Sequence, residues 1–171
     1  KRYTKADGLS DNSVQYILPD RSGVLWLATS TGVNRFDPNT AAVKPLASRT
    51  DPDKPLNQAF NIMVQQADGT LWAGSNDGLY LLPPSQQLLI PAGYQTGQAG
   101  ALPHNHIQGL LVDTQDRLWV TTKLGVDRLL TGSDKQQPKF ESINQLIELF
   151  GTDFGGNYLQ DEKGRIWSNK E

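Results

Sequence analysis

The stretch DRSGVLWLATSTGVNRF, residues 20–36, holds the grammar of the whole chain. It has a turn signal at Asp20–Gly23, an apolar run Val24-Leu25-Trp26-Leu27, a second turn signal at Ser30–Gly32 and a second apolar run opening at Val33. Short apolar runs bounded by glycine read as strands joined by tight turns. The same grammar returns as QADGTLWAGSNDGLYLL (66–82), DTQDRLWVTTKLGVDRL (113–129) and DEKGRIWSNKE (161–171). The four tryptophans, Trp26, Trp72, Trp119 and Trp167, stand 46, 47 and 48 residues apart, and a fixed period of that size marks a repeat architecture.

Working outward from each Trp, the preceding residue is Leu25, Leu71, Leu118 or Ile166, and three residues upstream stands Gly23, Gly69, Asp116 or Gly164. These are residue types able to take the positive φ of a tight hairpin. A third apolar run precedes each turn: Val14 to Leu18, Phe60 to Val64, Ile107 to Val112 and Asn157 to Gln160. Fainter segments at 41–46, 86–90 and 139–143 supply a fourth strand, although Ile143–Gly151 also permits a short helical turn. Apolar residues fall at adjacent as well as alternating positions, so both faces of each antiparallel four-stranded unit need cover. Stacking the sheets around an axis provides it, with the tryptophans between neighbours. The expectation is an all-β partial β-propeller over 1–171, with blades at about 8–50, 55–97 and 101–143 and an incomplete unit at 150–171. Such an open arc leaves two blade faces bare, for further blades of the same chain or for a second copy.

Composition removes several function classes. Among 171 residues, 16 Lys and Arg against 18 Asp and Glu give a formal charge of −2, no electrostatic footprint for nucleic acid. No apolar run reaches the roughly 18 residues that a membrane helix needs, and no signal-peptide pattern is present. The absence of cysteine removes disulfides and thiolate chemistry.

These motifs resemble the two-component regulator propeller repeats of bacterial sensor proteins. The first unit matches nearly throughout: Gly8-Leu9-Ser10-Asp11-Asn12-Ser13-Val14, then Asp20, Gly23, Leu25-Trp26, Thr29, Gly32-Val33 and Arg35-Phe36. The second keeps Leu56, Gly69, Leu71-Trp72 and Gly78-Leu79, with Leu81 in place of the Arg. The third keeps Leu102 to Ile107, Leu118-Trp119, Thr121 and Gly125 to Arg128, with Asp116 in place of the first Gly. The resemblance implies a non-catalytic periplasmic sensor region of a membrane-anchored signalling protein, with a histidine kinase or diguanylate cyclase output outside this segment. The implied partners are a small-molecule or saccharide ligand, further blades or a second copy. An interaction scaffold is the alternative, and a propeller lyase similar to streptogramin lyases is a third reading, resting on His106.

Candidate site residues follow from the blade geometry. The loops entering the first strand and those joining the second and third strands share one rim. That places Asn12, Ser13, Ser30, Thr31, Gln58, Ser75, Asn76, His104, Asn105, His106, Thr122 and Lys123 on one polar surface, where loop sequences vary over a repeating frame. The ligand-binding candidates are Asn12, Ser13, Ser30, Gln58, Asn76, His104, Asn105, His106 and Lys123. His104 and His106 supply only two metal ligands, so no metal or cofactor is expected, and no catalytic residue is assigned. Asp20, Asp113 and Asp161 recur six residues before a Trp, where short acidic side chains accept backbone hydrogen bonds of a turn.

Overall fold

A computed structural model describes residues 1–84, 86–93, 98–135, 137–143, 158–161, 163 and 165–168. After a short 3-10 turn at Lys5–Asp7, the first blade is built from β1 (Val14–Pro19), β2 (Leu25–Thr29), β3 (Gly32–Asp37) and β4 (Ala42–Pro45), paired in that order. Its pairs are antiparallel throughout, and Trp26 faces Leu18 on one side and Arg35 on the other. The third blade repeats this with β11 (Ile107–Val112), β12 (Leu118–Thr122), β13 (Gly125–Leu129) and β14 (Phe140–Ser142). A two-stranded piece, β15 (Tyr158–Gln160) and β16 (Ile166–Ser168), begins the fourth unit and aligns Leu159 with Trp167. The helical alternative over Ile143–Gly151 lies, from residue 144 on, outside the described residues, as does Asn157.

The second blade carries an extension that the sequence did not announce. Its strands β7 (Phe60–Gln65), β8 (Leu71–Ser75), β9 (Gly78–Leu82) and β10 (Leu88–Ala92) follow the common order. A hairpin of β5 (Ala47–Ser48) and β6 (Asp51–Pro55) then joins β10 through a parallel β5 pairing. Residues 51–55 read DPDKP, a composition that argues against a central strand. It is tolerated because β6 is the outermost strand, where missing proline N–H groups break no ladder.

The innermost strands β1, β7, β11 and β15 lie beside one another in sequence order, and the sheets fan out from them. Two apolar clusters fill the gaps. Ala28, Val33 and Leu46 from the first blade meet Phe60, Met63, Leu71 and Leu82 from the second. Trp72, Leu79 and Leu81 from the second meet Leu110, Leu118 and Val120 from the third. The sheet faces are therefore buried between blades, as adjacent apolar positions required. Trp72 is fully buried at 0% exposure, while Trp26 and Trp119 are partly buried.

Candidate functional site

The turn before each tryptophan fixes the blade from one end. Asp20 Oδ1 accepts the backbone N–H groups of Ser22 (2.7 Å) and Val24 (3.1 Å), while its Oδ2 accepts the Trp26 indole N–H at 3.2 Å. Asp113 does the same for Gln115, Arg117 and Trp119, with the indole bond at 2.8 Å, and Asp161 Oδ1 holds Lys163 and Arg165. In the first and third blades this aspartate thus acts as turn brace and indole acceptor together. Burial of Asp113 opposes its charge, but the donors from Trp119, Arg117 and Gln115 outweigh that and hold its carboxyl below the usual range. In the second unit the two tasks are divided. Gln66 Oε1 takes the Trp72 indole N–H at 2.9 Å, and Asp68 Oδ1 takes the Thr70 backbone N–H at 2.9 Å.

The substitution of Asp116 for glycine also has a physical account. Asp116 sits at φ 61°, the left-handed region in which Asp is among the better tolerated residues. In return its Oδ1 accepts the Ala67 N–H at 2.6 Å and its carbonyl accepts Gln66 Nε2 at 2.8 Å, tying the third blade to the second. At the other turn, Thr29 Oγ1 and Ser75 Oγ donate to the carbonyls of Gly32 and Gly78 (2.9 and 2.8 Å), and Thr122 Oγ1 accepts the Leu124 N–H. All three residues are fully buried. The structural counterpart of Thr29 is therefore Thr122 rather than Thr121, and Ser75 and Thr122 brace the rim from beneath instead of facing solvent.

The rim brings its predicted residues to one edge but divides them blade by blade. Asn12 Oδ1 accepts the Lys5 N–H (2.8 Å), and Gln15 Nε2 bridges Ser13 and Ser30 at 2.9 and 3.2 Å. On the second blade Gln58 Nε2 donates to Ser75, the Tyr80 hydroxyl reaches Gln58 Oε1 at 3.4 Å, and Asn61 Nδ2 donates to Asn76 Oδ1 at 2.8 Å. On the third, His104 Nδ1 accepts the His106 backbone N–H at 2.9 Å. Asn105 Nδ2 crosses to Asp77 of the second blade at 2.7 Å. A crevice of about 180 Å³ opens beside that crossing, with Asp77, Tyr80, Pro91 and Asn105 in its wall. Asn105 is the one predicted residue that lines it. Gln15, Asn61 and Asp77 escaped the sequence reading, although Gln15, Asn61 and Gln108 occupy one repeat column of polar residues inside an apolar run.

One buried group departs from its sisters. Asn34 on β3 stitches the entering loop of its blade, accepting the Ser10 N–H at 3.2 Å and donating to the Gly8 carbonyl at 3.3 Å. The same column on β13 holds Asp127, 2% exposed, and the loop residue matching Ser10 is Pro103, which has no N–H. Asp127 Oδ2 accordingly has no hydrogen-bond partner among the described residues. Burial pushes this carboxyl up to about 6, against the opposing hydrogen bond of Ser142.

Residues 8–31 and 101–123 match the family described as two component regulator propeller. Each matched segment runs from an entering loop through the first strand to the Trp strand and its turn. No curated protein matches the chain in sequence. Among solved structures, the extracellular domain of BT3049 from B. thetaiotaomicron, described as a hybrid two component system, superposes with a TM-score of 0.69 at 19% identity. The alignment covers 97% of this chain and 22% of that one. The corresponding domain of BT4673 gives 0.68 at 18% identity, covering 94% and 21%. A catalytically inactive virginiamycin B lyase from Staphylococcus aureus with quinupristin gives 0.56 at 15% identity, covering 80% and 43%. The chain spans about a fifth of the length of the two extracellular domains, and at these identities the likeness establishes the propeller fold. Sequence motif and blade geometry agree at these two places: segments 8–31 and 101–123, equivalent parts of the first and third blades, match the two-component regulator propeller family.

Proposed function

We propose that this chain is a non-catalytic segment of an extracytoplasmic sensor propeller in a bacterial transmembrane signalling protein, its kinase or cyclase output lying elsewhere. The observation that carries the reading is the match of two equivalent blade segments, 8–31 and 101–123, to a repeat family named for two-component regulators. The extracellular domains of similar fold support it. The rim is the proposed ligand surface, because its side chains change from blade to blade over a frame that does not. The experiment uses the lack of cysteine in the chain. Ser30→Cys is introduced into the natural full-length protein in a cysteine-free background, and intact cells are treated with a membrane-impermeant maleimide. Labelling in intact cells supports the reading, and labelling only after lysis rejects it.

A second reading, self-association, is favoured by the first strand, where Val14 and Ile17 are 37% and 54% exposed. A bulge between residues 14 and 16 turns both toward one face of the first blade, away from the buried interface with the second. Sedimentation of the segment separates the readings: a concentration-independent monomer removes this one.

A further inference from the structure

The rim repeats one contact in the first two blades and lacks it in the third. A polar residue on the innermost strand reaches the turn after the Trp strand: Gln15 to Ser30 in the first blade, Asn61 to Asn76 in the second. Each donor thus has a neutral acceptor within its own blade. The matching pair in the third blade is Gln108 and Lys123, and here the acceptor position carries an ammonium group. Lys123 is exposed and has no ion pair or hydrogen bond among the described residues.

The side chains beside Lys123 are two imidazoles, and the neighbouring carboxylate is already engaged. Register pairs Ile107 with Thr122 at the end of the β11–β12 ladder, so the next residues outward, His106 and Lys123, face each other across the rim. His104 lies beside them, with ring centroids 6.4 Å apart between the two histidines. Because His104 Nδ1 accepts the His106 N–H, its neutral ring carries the proton on Nε2, a donor on the side away from the backbone. The neighbouring carboxylate, Asp77, is engaged by Asn105. Burial first, and then Lys123 and His104, hold the His106 imidazole below its usual range.

We infer that Lys123, His104 and His106 form a site for a carboxylate-bearing solute, which supplies from outside the acceptor that Ser30 and Asn76 supply in the sister blades. The ammonium provides the charge, the His104 Nε2–H a directed donor, and His106 a proton-linked donor that strengthens the site as pH falls. This deepens the proposed function and rests on its assignment of the rim as the ligand surface.

The test is an NMR titration of the His104 and His106 ring signals with acetate, with chloride at matched ionic strength as the screening control. The expected result is a saturable shift of both rings by acetate, a His106 titration midpoint moved upward by acetate, and binding about tenfold weaker in Lys123→Gln. Lys123→Arg, which keeps the charge, retains binding. Shifts identical in acetate and chloride, or saturation undiminished in Lys123→Gln, overturn the inference. If acetate fails while a neutral saccharide moves the same ring signals, the carboxylate assignment falls and the rim reading stands. If acetate binds but full-length Ser30→Cys is labelled only after lysis, the site stands and the sensor reading falls.

Discussion

Replacing Asp127 by Asn should stabilise the protein at neutral and alkaline pH. The carboxyl is 2% exposed, one oxygen has no partner among the described residues, and its pKa is lifted from 3.8 to about 6. In the unfolded chain the group ionises at the ordinary value. Between the two values the native state holds more protons than the unfolded state, so stability falls as pH rises through this window and is level above it. A shift of about 2 units at about 1.4 kcal/mol each puts the penalty near 3 kcal/mol above the folded pKa and near zero below the unfolded one. Asparagine removes the ionisation and reproduces the side chain that Asn34 presents to the first blade's entering loop. The measurement is urea unfolding of both proteins from about pH 4 to about pH 8, followed by tryptophan fluorescence. The variant should gain about 1–3 kcal/mol at the alkaline end and nothing at the acid end. A variant less stable than wild type at about pH 8, or a wild type as flat as the variant between about pH 4 and pH 7, refutes the reasoning, because the carboxyl would then have found a donor.

Three further outcomes are read by the same unfolding assay. Trp72→Ala removes a fully buried indole and should cost about 3–5 kcal/mol, whereas Trp119→Ala, at a partly exposed position, should cost about half as much; equal costs would deny the inter-blade placement. Gln66→Ala strips the acceptor from the buried Trp72 indole N–H and should cost about 1–3 kcal/mol, and a loss below about 0.5 kcal/mol would show that another acceptor serves. At φ 61°, Asp116→Ala should lose about 1 kcal/mol more than Asp116→Gly, since both lose the Ala67 bond but only Ala carries a Cβ in the left-handed region; the reverse order would contradict the turn geometry.

The blade frame was legible because it is written redundantly. Each Trp follows an apolar neighbour and a turn, and in the first and third blades the Asp six residues upstream binds the indole directly, so spacing and contact are one signal. The fourth strands β4 and β14 are fainter because they are outermost in their sheets, whereas β10 is covered by β5. The β5–β6 hairpin was silent, because an edge strand needs neither apolar alternation nor proline N–H groups. Thr121 and Thr122 adjoin, and only the hydrogen bond at the turn shows which of them corresponds to Thr29.

The candidate site was legible as a surface but not as a set of contacts, and the reason is the repeat itself. Repetition predicts where a residue stands, while function depends on what the equivalent residues do differently. Asp20 performs two tasks that Gln66 and Asp68 divide, and there the change preserves the structure. Asn34 becomes Asp127 just where Ser10 becomes Pro103, and there the change leaves a buried oxygen unpaired. Ser30 and Asn76 become Lys123, and the self-contained polar pair of two blades becomes an uncompensated charge on the third. The first kind of substitution is compensated inside the chain. The second loads a cost onto folding that pH modulates, and the third is met by no other group among the described residues, so an external carboxylate is the partner its chemistry fits.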